Sequence, residues 1–231
     1  MIDKSTLNIL FTNEVGSRMW GMEDLASDYD WINIFQNQTS NILRNDPRPN
    51  NLPQEQYLNN AGREMDETYM EIGHLINLLC KGNINAIWAV TSPIKINNSE
   101  LDARGDEIRK VLAACIKNNP SKQTWHSING MGCSQLTDAT KRAGVRDTNK
   151  SLRSAARTFM FGTCLFDNGL LDYEVGKNVP RHISLAQVVT CQDQMRTAYE
   201  SSELPKTPDV SQFKDYLYEL RLHDLKNHDQ P

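Results

Sequence analysis

The chain is predicted to be α+β, with a mixed sheet and flanking helices over residues 1–97 and a helical region over 98–231. Three observations predict this. Two runs rich in strand formers, LNILFT at 7–12 and YDWINIF at 29–35, lie close together on either side of a Gly16-Ser17 turn. Ile72, Leu75, Ile76 and Leu79 then follow helical spacing. Beyond about residue 99 the apolar positions recur only at helical intervals.

Taken in order, the run at 7–12 predicts a first strand and the run at 29–35 a second. Residues 36–60 are rich in Asn, Gln and Pro without periodicity, which predicts a loop or insertion. The helix through Ile72 and Leu79 should stop at Lys81-Gly82-Asn83, with Gly82 available for a left-handed cap. INAIWAV at 84–90 fits either a strand or a helical turn, ended by Thr91-Ser92-Pro93. A break between the two regions is placed near Asn97-Asn98-Ser99. Ile108, Val111, Leu112 and Cys115 mark one helix of the second region, and Trp125, Ile128 and Leu136 a less regular one. Leu152, Ala155, Ala156, Phe159, Thr163 and Phe166 mark a strongly amphipathic helix, capped by Asp147 and stopped near Gly169. Leu185, Val188, Val189 and Met195 give the next. Thr207-Pro208 is an N-cap and N1 pair for a last helix with the face Phe213, Leu217 and Leu220.

A chain of 231 residues with 39% apolar and 23% charged residues has material for a real core. Its net charge of −4 supplies no global field for nucleic acid, so a polyanion needs a local basic patch. Five cysteines (Cys80, Cys115, Cys133, Cys164 and Cys191) form no CxxC pair. That spacing argues against both a disulfide framework and a zinc site, and predicts mostly buried thiols in a reducing compartment. No run reaches the roughly 18 apolar residues a membrane span needs, and the first residues do not read as a secretory signal. A cytoplasmic protein without a membrane partner is the expectation; the oligomeric state is not readable.

The chemistry is concentrated in Gly16–Asp30, GSRMWGMEDLASDYD. Residues i and i+2 of a strand point the same way, so Asp28 and Asp30 should aim two carboxylates at one place. Such a pair is costly unless a cation cancels it, and Mg²⁺ (or Mn²⁺) combines carboxylate with phosphate oxygens. Gly16 and Ser17 allow a phosphate to approach the backbone, ahead of free N–H groups if a helix comes next. Arg18 can add a charge-assisted bond. An Asp-x-Asp pair alone is usually a solvated turn; the joint pattern of strand, Gly-Ser, fixed gap and acids is what carries weight.

Those residues resemble a known signature. Gly16-Ser17-Arg18-x-x-Gly21 followed by Ser27-Asp28-Tyr29-Asp30 is similar to that of the DNA polymerase beta superfamily. The likeness is to a branch of bacterial, archaeal and phage nucleotidyltransferases, some of them encoded near RNA ligases. Asp66–Asn85, Ser92-Pro93 and Lys150-Ser151-Leu152-Arg153 extend it over about two-thirds of the chain. The resemblance implies a metal-dependent transfer of NMP from an NTP (ATP among them) to an acceptor hydroxyl, with RNA as one acceptor. It implies a third carboxylate on a neighbouring strand, completing the metal site and acting as base. Asp66 fits that position, with Glu64 and Glu67 as neighbours and a helix-start surface acid as the bland alternative. Gly16, Ser17, Arg18, Ser27 and Lys150 become the nucleotide-binding set. The sequence departs from the family's look in two places: 60–69 has few strand formers, and the turn after Asn83 lacks a proline. The alternatives are an AMP-adding, antitoxin-type enzyme acting on protein, and a silent nucleotide-binding module.

Lys150, Arg153 and Arg157 share one helical face, with Lys141, Arg142 and Arg146 just upstream. A solvated face is the plain reading; contact with the triphosphate or an incoming polynucleotide is the functional one. His74 is expected to be structural, and His126, His182, His223 and His228 form no ligand cluster. Trp20 and Trp31 flank the motif, where core packing competes with stacking on a base.

Overall fold

A computed structural model describes residues 6–23, 27–46, 49–60, 62–96, 102–141 and 147–228. Strands β1 (Asn8–Glu14) and β2 (Tyr29–Gln36) form where the β-branched and aromatic runs predict them. They pair antiparallel, with Thr12 opposite Asn33 and Glu14 opposite Trp31. Two further strands, β3 (Asn51–Leu58) and β4 (Glu64–Glu71), come after a short helix α1 (Thr39–Leu43). A two-residue strand β5 (Lys95–Ile96) closes the other edge. The sheet order is β3-β4-β2-β1-β5, with β2 and β4 parallel and every other pair antiparallel.

The expected loop at 36–60 is therefore wrong: the stretch holds the helix α1 in its first half and the strand β3 in its second. The strand β3 is an edge strand in which only Leu52 is buried, so it carries no apolar alternation to read. Its Pro53 is tolerated because an edge strand can spare a donor. β4 likewise has few strand formers, but it sits between β3 and β2 and gains both ladders.

Helix α2 (Ile72–Cys80) starts at Glu71, whose carboxylate accepts from Gly73 N and His74 N. Gly82 is left-handed (φ 66°), as the stop signal predicts. The ambiguous 84–90 run is helix α3 (Ile84–Thr91), settled by Asn83, whose side chain accepts from Ala86 N as an N-cap. The helices α4 (Asp102–Asn118), α5 (Trp125–Lys141), α6 (Thr148–Asn168), α7 (Leu185–Ser201) and α8 (Ser211–His228) complete the chain. Helix α6 has the predicted Asp147 cap and Gly169 stop. Helix α8 begins later than Thr207-Pro208 predicts: Asp209 Oδ1 instead accepts from Ser211 N at 2.9 Å. The predicted break at 97–99 and the basic residues Arg142 and Arg146 lie outside the described residues.

One continuous core runs through Phe11, Ile34, Leu75, Trp88, Ile108 and Phe159, joining sheet and helices. Helix α6 is its axis, packed on α5 and α7. It approaches α5 so closely that a Cβ on Gly132 would lie 2.2 Å from Phe159. Of the five cysteines only Cys115 is fully buried; all five are free thiols, and the other four are half-buried rather than enclosed as expected.

Glu71 holds three elements together. Besides capping α2, it pairs with Arg221 of α8 at 2.5 Å, and Arg221 donates to Asn37 O at 3.0 Å beyond β2. The Glu71 side chain is 4% exposed. Breaking a buried pair strands the other charge, so Glu71→Ala should cost about 3–5 kcal/mol. Urea unfolding checks this; a loss under about 1 kcal/mol would mean the pair is held no better than a surface one.

Candidate metal and nucleotide site

β2 and β4 run parallel in register, with Asp30 beside Asp66, Tyr29 beside Met65 and Ile32 beside Thr68. Adjacent strands are about 4.8 Å apart, so the two carboxylates stand next to each other on one sheet face. Asp28 lies just before β2 rather than within it, yet reaches the same point. One carboxylate oxygen each from Asp28, Asp30 and Asp66 lie within 4.8 Å of one another. Glu64 is exposed at the start of β4. Glu67 is committed elsewhere, accepting from Tyr57 Oη at 2.8 Å and from Tyr69 Oη. Of the three neighbouring acids in β4, Asp66 is the one that joins the pair.

The Gly-Ser turn meets this cluster directly. Val15 N donates to Asp30 O at 2.7 Å. Gly16 has φ +69°, and a Cβ built there would lie 1.7 Å from Asp30 Oδ2. Only glycine lets the chain turn against that carboxylate. Ser17 leads into a short 3₁₀ turn, Arg18–Trp20, closed by Gly21 in the left-handed region. The expected helix N-terminus is thus a single turn. Ser27 is half-buried beside Asp28.

Arg18 is placed differently from the phosphate ligand the sequence suggests. It pairs with the buried Glu14 at 2.6 Å, and its guanidinium lies 4.3 Å from the Tyr29 ring centroid. Burial pushes the Glu14 carboxyl up, against the pull of Arg18. Arg18 here braces the turn against the strand that carries the acids.

Asp30 is strongly perturbed by its surroundings. Burial first, then Asp28 and Asp66, raise it to about 6, while Lys150 and Arg157 pull the other way. The basic face of α6 therefore lies close enough to act on Asp30. It is not uniformly solvated: Lys150 is exposed and Arg153 half-buried, but Arg157 is only 8% exposed. Burial drives Arg157 down to about 10. Its guanidinium lies 4.9 Å from the Trp20 ring. Trp20 itself is 1% exposed, packed edge-on against Trp88 and Phe161, so its role is core. The sequence does not single out Arg157, because helical spacing gives a face, not a depth.

A cleft of about 570 Å³ opens behind the acids on the same sheet face, between β2, β4 and the helices α3, α5 and α6. Gly16, Ile32, Thr68, Asn85, Gln135 and Arg157 are among its walls. A polar notch of about 520 Å³ shares Gln135 and continues past Lys150 and Ser154. Among the described residues, no helix is long and apolar enough to cross a membrane.

Three clustered carboxylates with one oxygen each turned inward are a donor set for a hard divalent cation, since like charges at this separation oppose one another otherwise. No curated protein matches the chain significantly. Residues 1–104 match the RlaP family, described as an RNA repair pathway DNA polymerase beta family. That span contains the Gly-Ser turn, all three acids and every strand of the sheet. By this match and this arrangement, the N-terminal region of the chain is similar to the DNA polymerase beta-like nucleotidyltransferases.

Proposed function

We propose that this protein transfers a nucleoside monophosphate from an NTP to an acceptor hydroxyl, with pyrophosphate as the leaving group, using Mg²⁺ or Mn²⁺ held by Asp28, Asp30 and Asp66. The carrying observation is the parallel register of Asp30 with Asp66, with Asp28 completing a three-oxygen cluster against Gly16. When bound, divalent cations would stabilise the attacking and leaving oxygens of an in-line displacement. The chain's own residues supply the rest. Gly16 and Ser17 bring the backbone to the phosphates, with Ser27 alongside. Lys150 adds positive charge from α6, while Arg18 contributes through the turn it braces. Asp66 accepts the proton of the attacking hydroxyl. Most of the rate would come from positioning and fixed charge.

RNA is the proposed acceptor. The family description ties its members to RNA repair, and the polar notch beside Lys150 adjoins the cleft through the shared Gln135. Residues 1–97 would form the catalytic unit and 98–231 the helical wall over it, working in the cytoplasm.

The test is incubation with each labelled NTP, Mg²⁺ or Mn²⁺, and total cellular RNA and protein. Label should appear on RNA, need the metal, and vanish in Asp28→Ala/Asp30→Ala. Label on polypeptide would replace the acceptor by protein. Label that survives the double substitution would remove the mechanism.

A further inference from the structure

Arg157 presents an unresolved charge. It is more than nine-tenths buried, its Nε has no hydrogen-bond partner, and among the described residues it makes no ion pair. The neighbouring Arg153 Nε is also buried without a partner. Buried guanidinium groups are ordinarily paired and fully hydrogen-bonded, because an isolated charge is expensive away from water. Among the described residues, the attractive charge near Arg157 is Asp30. In the proposed reaction Asp30 is committed to a cation, which leaves Arg157 facing net positive charge. The position needs an anion from outside the chain.

The cleft wall that holds Arg157 shows where that anion belongs. Arg157 is the charged residue in that wall, which also includes Gly16, the residue that abuts Asp30. Away from it the lining is neutral: Ile32, Met70, Trp88, and the carboxamides of Gln54 and Asn85. Gln54 and Asn85 are exposed, with no side-chain hydrogen bond of their own among the described residues. A nucleotide is divided the same way, into an anionic tail and a neutral, flat heterocycle with hydrogen-bonding edges. At about 570 Å³ the space falls within the usual range of small-molecule sites.

Resting on the proposed function, we infer that this cleft takes the nucleoside end of the NTP, with Arg157 binding the phosphate next to the sugar and Gln54 and Asn85 reading the base. Carboxamides offer both donors and acceptors, as base discrimination requires.

The test is calorimetric titration of the full chain, in Mg²⁺, with the four nucleoside monophosphates and with inorganic tripolyphosphate, alongside thermal unfolding without ligand. At least one nucleoside monophosphate should bind. Arg157→Met should weaken it tenfold or more and raise the ligand-free melting temperature, because it removes an unpaired buried charge. Asn85→Leu and Gln54→Leu should change the ranking of the four monophosphates and leave tripolyphosphate binding unchanged. Arg157→Lys keeps the charge and should retain part of the affinity. The inference fails if Arg157→Met binds monophosphates like the parent chain. It also fails if that variant melts lower with unaltered binding, which is the signature of a purely structural arginine. A chain that labels RNA yet ignores monophosphates loses this inference and keeps the proposed function. One that binds them but labels nothing does the reverse.

Discussion

Asp30→Asn should abolish metal-dependent transfer, by a thousandfold or more, while making the metal-free protein more stable above pH 6. The two effects have one cause. Asp30 is raised to about 6 from an ordinary 3.8 by burial and by Asp28 and Asp66. An acid raised in the folded state holds its proton longer than in the unfolded chain. Below pH 4 it is protonated in both states and costs nothing. As pH climbs toward 6 the unfolded chain ionises first, and the folded protein loses stability until Asp30 ionises too. With its partial solvent exposure discounted, the penalty above pH 6 is about 1–2 kcal/mol. An amide has no such penalty, so the substituted chain should melt higher at pH 7 and equal the parent near pH 4. Mg²⁺ should restore the parent at pH 7 and do nothing for the variant. Because ligation requires the carboxylate, metal affinity of the parent should rise with pH through about 6 and then level off. A variant that melts lower than the parent at pH 7 would show the cluster to be held by other forces than a cation.

This tension between stability and site explains which features are legible in the sequence. Strand β2 announces itself because Ile32, Ile34 and Phe35 are buried and the sequence must say so. β3 and β4 do not. β3 exposes nearly all of its side chains, and β4 spends its positions on Asp66, Glu67 and Glu71, each with a task other than packing. The strand that carries the third acid is thus one of the two with a weak signal. Asp66 can be placed by resemblance, but its side-by-side relation to Asp30 is a fact of parallel pairing between residues 36 apart, which no local pattern encodes. Arg18 and Arg157 make the complementary case. Both are visible as cations near the motif or facing it. The fold ties Arg18 to Glu14 and buries Arg157 against Trp20, and depth of this kind depends on what packs above a helix, not on spacing along it.

Gly16→Ala should reduce metal affinity and transfer about a hundredfold or more, and Gly21→Ala should not, although both glycines occupy the left-handed region. At Gly16 φ is +69° and at Gly21 it is +60°, so alanine carries a similar backbone cost at each, about 1–2 kcal/mol. The difference lies in what the methyl group meets. At Gly21 the nearest atom is Lys177 Cε at 3.1 Å, the far end of a flexible side chain that can swing away. At Gly16 it is Asp30 Oδ2 at 1.7 Å, with Cγ and Cβ of the same residue also inside 3 Å. Asp30 is fixed between β1 and β4 and cannot retreat without leaving Asp28 and Asp66. Misplacing a reacting group by about 1 Å costs on the order of a hundredfold. Titrating Mg²⁺ or Mn²⁺ into both variants separates the contributions: equal losses of melting temperature report the backbone, and an affinity lost only at position 16 reports the collision. If the two variants bound metal alike, the turn would be a scaffold for the strand rather than one wall of the site.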